Sequence, residues 1–264
     1  MTLVSGKVLV TGATGGLGQA IARAFAARGA ELILTGRRAE VLEPLAAELG
    51  ARALACDLAD RGDVERLAAE AAGIDVLVAN AGMVGTGHLL ELTAEQADRM
   101  LEVNLRAPIA LAHALAPAMA ARGRGALVFM SSLNGKAATP RTAMYCAAKF
   151  GLRGFALSIR DDLRSDGVGV SLVYPGFIRG AGMFAESGVK LPPYLGTRTP
   201  EQVAAAVISA VEHNRAEVTV APAFLRLSTT FASLLPGPAS MISRLGGGEK
   251  IAIEFAAGQA DKRA

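Results

Sequence analysis

Cysteine is scarce in this chain, tryptophan is absent, and histidine occurs only three times. Each shortage closes off a class of chemistry. The two cysteines, Cys56 and Cys146, stand at no spacing that suits a metal or a redox pair. Both read as free thiols in a reducing, cytoplasmic compartment. His88, His113 and His213 are scattered, with no carboxylate at ligand spacing, so no metal site is expected. Aromatic residues make up only 5% of the chain, and the 27 lysines and arginines form no block. That distribution argues against nucleic acid as a partner. No apolar run reaches about 18 residues, so no membrane-spanning helix is expected. The N-terminus runs almost at once into a strand pattern, and no signal peptide is read ahead of it.

What is present is an alternation of short aliphatic runs and longer helical patterns. With 264 residues, 52% hydrophobic and 19% charged, the chain can build one large α/β domain over 1–264. Strands are expected at 7–11, 31–35, 52–56, 74–79, 126–131, 169–174 and 217–221. Most are apolar at successive positions rather than alternating. That is the pattern of a parallel sheet covered by helices on both faces. The first helix should begin near Gly16, carry Ile21, Ala22 and Phe25 inward, and stop at Gly29. Segment 176–200, rich in glycine and proline, reads as a mobile lid over a site or as a plain surface connection. An extended tail occupies about 222–264. Its Leu225, Leu227, Phe231, Leu234 and Leu235 suggest a sticky helix. Packing on its own domain or on another subunit is favoured over a membrane surface, because only Arg226 and Arg244 add charge.

The first expected strand leads into Gly12-Ala-Thr14-Gly15-Gly16-Leu17-Gly18 and then a helix. Glycines let backbone N–H groups approach phosphate, and the helix N-terminus favours the anion. The spacing differs from Gly-x-Gly-x-x-Gly, but the strand–turn–helix context supports dinucleotide binding. The lysine of a nucleoside-triphosphate loop is missing, which disfavours an ATPase. After the second strand come Gly36, Arg37 and Arg38. Two cations and no carboxylate suit a 2′-phosphate, so NADP(H) is favoured over NAD(H). The same arginines can also be read as solvated helix-cap residues. Asp57, followed by Leu58, can accept from an adenine amino group or cap a turn. Asn80-Ala81-Gly82 follows the fourth strand and brings backbone close to the cofactor.

Tyr145 and Lys149 are four apart and share one face of a helix. A free phenol has a pKa of about 10, so it exchanges protons poorly at neutrality. Lowering it by about three units takes roughly 4 kcal/mol. One cation about 4 Å away at an effective dielectric near 20 offers about that much. Ser132, at the end of the fifth strand, can hydrogen-bond a substrate oxygen. Asn104 can orient water toward Lys149 or serve as a helix-packing amide.

These residues together resemble the short-chain dehydrogenase/reductase family, over about residues 5–224. Thr11, Gly12, Gly16 and Gly18 match its glycine motif, Asp57 its adenine-side aspartate, and Asn80, Ala81 and Gly82 its Asn-Ala-Gly. Asn104, Ser132, Tyr145 and Lys149 match its catalytic set, and Pro175-Gly176 its Pro-Gly after the sixth strand. The resemblance implies a doubly wound Rossmann-type sandwich with seven parallel strands and a nicotinamide cofactor. It also implies that Tyr145 protonates the nascent alkoxide in reduction and takes the hydroxyl proton in oxidation. A homodimer or homotetramer is the expected assembly. Two departures stand out: Gly180 lies near the place of a family threonine, leaving Ile178 to make a backbone contact, and Ala79 replaces a common asparagine. Met83, Val84, Met183, Phe184, Leu191 and Tyr194 would line an apolar pocket for a ketone or secondary alcohol, while Arg179 attracts an anion or faces solvent. A redox-neutral epimerase or dehydratase and a non-catalytic nucleotide-binding regulator are the alternatives.

Overall fold

The computed structural model of the chain describes residues 2–192 and 194–259. Pro193 of the expected lid and the last five residues of the tail lie outside that range. The order begins β1 (Lys7–Val10), α1 (Gly16–Ala26), β2 (Glu31–Gly36), α2 (Ala39–Leu49), β3 (Arg52–Ala55), α3 (Arg61–Glu70) and β4 (Val76–Ala79). It continues through α4 (Ala94–Leu101), α5 (Ala107–Ala121), β5 (Gly125–Met130), α6 (Ala143–Asp162) and β6 (Val168–Pro175). Next come α7 (Gly182–Glu186), α8 (Pro200–Glu212) and β7 (Glu217–Val220). The tail forms α9 (Ala223–Leu234), α10 (Pro236–Leu245) and α11 (Gly248–Ala257).

All seven strands pair in parallel, in the order β3-β2-β1-β4-β5-β6-β7. The chain therefore leaves β1 toward one edge and returns beside it at β4. That reversal opens a crevice at the carboxyl ends of the strands, where ligands of doubly wound sheets bind. Successive strand residues face opposite layers. Val8 and Val10 pack with α1, α2 and α8, whereas Leu9 and Leu77 pack with α3, α5 and α6. This two-sided burial explains the unbroken aliphatic runs in the sequence.

Within α1, Ile21, Ala22 and Phe25 are fully buried. The helix ends at Ala26, and Gly29 takes a left-handed φ of 76° in the turn to β2. The fourth strand begins at Val76 rather than at 74. Before it, the Asp75 carboxylate accepts from the Lys7 N–H at 3.0 Å and from Arg124 at 2.9 Å. A side chain committed to these bonds anchors the strand entrance.

One charged cluster ties the sheet edge to α6. Glu217, which opens β7, accepts from Arg153 at 2.8 Å, Lys136 at 3.0 Å and the Tyr174 hydroxyl at 2.5 Å. Lys136 also stands 4.1 Å over the Tyr174 ring. Burial alone would raise the Glu217 carboxyl, but bonds from Arg153, Tyr174 and Lys136 outweigh it and hold it at about 2. Glu217→Ala strands two cations, so it is expected to cost on the order of 3 kcal/mol in chemical denaturation. The wild-type advantage is complete above the carboxyl's ordinary value of 4.5 and is lost as pH falls from there toward 2.

Candidate active site

The site is built where β1, β4 and β5 end. The amide N–H groups of Asn80 and Ala81 each donate to the Thr11 hydroxyl at 3.0 Å. The Asn80 side chain donates to the carbonyls of Thr11 at 3.0 Å and Gly12 at 3.3 Å. The two loops are thereby stitched together across the crevice. Gly12 has a φ of 65°, and a Cβ there would lie 2.7 Å from the Ala81 Cα. A Cβ on Gly18 would lie 2.2 Å from the Gly12 carbonyl oxygen. Neither position tolerates a side chain without moving backbone.

These residues fit a dinucleotide. The N-cap of α1 is Gly15, no side chain caps the helix, and its first turn holds no acidic residue. Its leading N–H groups and its field are left for an anion. Arg38 donates to the Thr14 carbonyl at 2.8 Å and so braces the glycine turn. Arg37 is exposed at the same cavity and, among the described residues, makes no hydrogen bond or ion pair. Two arginines that looked alike in the sequence thus have different tasks.

Asp57 is more occupied than the sequence suggests. Its carboxylate accepts from the Ala59 N–H at 3.0 Å and from Arg99 of α4 at 3.0 Å. Burial alone would raise this carboxyl. The Ala59 and Arg99 bonds, with the nearby charge of Arg37, hold it below its ordinary range. The turn-capping alternative therefore describes one of its two oxygens.

Asn104 is fully buried and lies in a π-helical turn (Glu102–Arg106) between α4 and α5. Such turns often mark functional sites. Its amide nitrogen donates to the carbonyls of Met83 at 3.1 Å and Met100 at 3.0 Å, and its oxygen accepts from the Met83 N–H at 3.3 Å. The side chain acts as the packing amide and clamps the loop after β4. A Cβ added to Gly82 would stand 3.0 Å from the Asn104 oxygen and 3.8 Å from Lys149 Nζ, so both side chains approach this glycine.

Tyr145 and Lys149 sit on α6, one turn apart, as expected. Tyr145 is half-buried and Lys149 buried. Lys149 Nζ donates to the Met130 carbonyl at 3.0 Å and is 5.5 Å from the centre of the Tyr145 ring. Burial pushes the lysine down to about 8. Burial also pushes the Tyr145 phenol up to about 12, although a hydrogen bond with Ser132 pulls the other way. The ammonium does not acidify the phenol in the chain alone, contrary to the expectation from a simple cation–phenol pair. Both groups are taken out of water, and that cost exceeds their attraction. Ser132 Oγ accepts from the Asn134 N–H at 3.2 Å, leaving its own proton to donate.

All the residues expected at the cofactor line one cavity of about 1590 Å³, together with Ser132, Tyr145 and Lys149. Asn104 stands behind its wall. Of the expected substrate residues, Met83, Val84, Met183, Phe184 and Tyr194 line it and Leu191 does not. Arg179 is outside as well, and donates to the Thr197 hydroxyl at 3.2 Å. The sequence reading missed the tail's contribution. Helices α9, α10 and α11 all supply lining residues, among them Leu225, Phe231, Ile242 and Phe255.

Residues 6–190 match the family model described as short chain dehydrogenase. The chain belongs to the short-chain dehydrogenase/reductase family. This family member is 40% identical over 185 residues to nodulation protein G of Rhizobium sp. (strain N33), covering 68% of this chain and 76% of that protein. It is 32% identical over 252 residues to dehydrogenase/reductase SDR family member 7B of Bos taurus, covering 87% and 78%. A solved short-chain dehydrogenase from Sphingobium yanoikuyae in complex with NADPH superposes with a TM-score of 0.75 at 27% identity, covering 88% of this chain and 95% of that one. The Rossmann-type sheet and the Tyr145 site of this dehydrogenase are those of an NAD(P)-linked oxidoreductase. Among the described residues, no helix is long and apolar enough to cross a membrane, and no group of three or more His, Cys, Asp or Glu could hold a metal.

Proposed function

We propose that the protein transfers a hydride between NADP(H) and an apolar ketone or secondary alcohol, as one catalytic domain that includes the tail. The observation that carries this reading is the meeting of Ser132, Tyr145 and Lys149 at the wall of the cavity that also holds the glycine turn. When bound, the reduced nicotinamide supplies the hydride. The amides opening α1 would hold the diphosphate, and the backbone at Asn80–Gly82 and the Lys149 ammonium would border the nicotinamide half. Pro175, Gly176 and Ile178, which line the same cavity, would also face the cofactor, and Leu58 would border the adenine.

In reduction, Ser132 donates a hydrogen bond to the carbonyl oxygen and fixes its position. As the carbon gains the hydride, the oxygen takes the Tyr145 proton. A phenol near 12 is protonated throughout the neutral range, so the resting chain holds the proton that the alkoxide takes. In oxidation the phenol must first lose its proton, which the resting chain resists. Asn104 acts as a positioning residue through Met83. The test is a panel of ketones and alcohols with both cofactors, followed by the absorbance of the reduced nicotinamide. Turnover of apolar ketones supports the reading, and inactivity across the whole panel opposes it.

The choice of NADP(H) rests on Arg37, supported by the NADPH bound to the Sphingobium relative. Its guanidinium is uncommitted and can take a 2′-phosphate through charge-assisted bonds. Arg37→Ala is expected to raise the Kd for NADPH about 10- to 100-fold, the loss of one such contact. The Kd for NADH should change by less than about threefold. Calorimetric titration with each cofactor reads both numbers, and equal weakening would remove the assignment.

A further inference from the structure

The cavity that holds the glycine turn and Tyr145 continues to the tail helices. Ligand sites commonly occupy about 300–1,000 Å³, whereas this one has about 1590 Å³. The tail helices line part of this cavity, with Arg244 and Glu249 beside apolar side chains. Phe184 of α7, Leu225 and Phe231 of α9, Ile242 of α10 and Phe255 of α11 line it. Between residues 222 and 248 only Arg226 and Arg244 carry charge.

This tail is built into the site. Gln259 is buried, and its amide donates to the Met183 carbonyl at 2.7 Å, latching the end of α11 to α7. A Cβ on Gly258 would fall 2.2 Å from the Ser187 carbonyl oxygen, so backbone meets backbone at the latch. A roof fixed in this way holds its apolar lining over the substrate end.

We infer that the substrate carries a long apolar chain on its carbonyl carbon, and that α9, α10 and α11 form the sleeve that receives it. The inference rests on the oxidoreductase reading for the position of the carbonyl, but the sleeve is an equilibrium binding site in its own right. Each methylene buried there favours binding by about fourfold.

Two measurements test this. The chain has no tryptophan, so Phe255→Trp places a single indole in the sleeve. Titration with 2-alkanols of about six to about twelve carbons, below their aggregation limits, should give saturable fluorescence changes with Kd falling about fourfold per methylene. In parallel, wild-type kcat/KM with NADPH is measured for 2-alkanones of about four to about twelve carbons, where the same rise per methylene is expected. Ile242→Glu should cut the ratio of long-chain to short-chain kcat/KM by at least about tenfold, because a charge replaces an apolar wall. Equal kcat/KM at all lengths overturns the sleeve while leaving hydride transfer intact. Length-dependent alkanol binding with no ketone reduced at any length keeps the sleeve and opposes the oxidoreductase reading. If the indole variant does not fold, the wild-type series decides alone.

Discussion

Tyr145→Phe is expected to lower kcat for ketone reduction by about 10²–10⁴-fold, the usual worth of a positioned general acid. Cofactor affinity should stay within about twofold, because the diphosphate and ribose are held elsewhere. The substitution removes one oxygen and leaves the ring and backbone in place. No neighbour can replace the phenol. Ser132 has a hydroxyl far too weakly acidic to give up its proton, and its contact is suited to holding the substrate oxygen. Lys149 has a proton to give near its value of about 8, but that proton lies on an ammonium already bound to the Met130 carbonyl. Steady-state rates and a cofactor titration on the same preparation check the split. Turnover within about tenfold of wild type would remove Tyr145 from its role.

Lys149→Met is expected to lower activity while raising stability below about pH 8, an advantage that fades as pH rises toward 10.5. Activity should fall by about a hundredfold or more, since the ammonium stands beside the phenol and, in the proposed reaction, beside the nicotinamide half. The stability effect follows from the lysine's burial, which lowers it from 10.5 to about 8. Below about pH 8 the folded and unfolded chains both carry the proton, and the cost of burying that charge is complete. Between about 8 and 10.5 the unfolded chain holds more protons, so the wild-type fold gains stability as pH rises. The gain is about 1.4 kcal/mol per pH unit, or about 3 kcal/mol across the window. Methionine fills the volume without titrating, so the variant lacks this slope. Denaturant midpoints at several pH values read the difference. Parallel stability curves for the two proteins would show that the ammonium is not buried at a cost.

Much of this was legible in the residues. The runs at β1, β4 and β5 are aliphatic on successive positions because helices cover both faces, and few other arrangements produce that pattern. The glycine turn, Ser132, Tyr145 and Lys149 were legible because their chemistry depends on spacing along one strand end or one helix face. Other features depend on contacts distant in sequence. Asp57 read as an adenine contact or a turn cap; the cap to the Ala59 N–H is there, and Arg99, 42 residues away, takes the other oxygen. Asn104 read as a water-orienting or helix-packing amide in an ordinary helix, because a π turn leaves no mark on side-chain composition. Arg37 and Arg38 were indistinguishable until the Thr14 carbonyl claimed one of them. The sticky character of the tail was visible, but its packing partner was not, since amphipathic helices do not state what they cover. The acidity of Tyr145 was misjudged for a related reason: sequence spacing gives the attraction between two groups and omits the water both have lost.

A phenol near 12 in the resting chain must become more acidic when the oxidised cofactor brings positive charge into the cavity. One unit charge at about 5 Å and an effective dielectric near 20 is worth about 3 kcal/mol, or about two pKa units. The chain has only three tyrosines, so carbon-13 labelling at the phenol carbon resolves Tyr145 in an NMR titration, with Tyr145→Phe assigning the signal. The expected result is a Tyr145 midpoint above about 11 without cofactor and about two units lower with saturating NADP⁺. Identical titration curves with and without NADP⁺ would contradict the assignment of this phenol as the proton-transferring group.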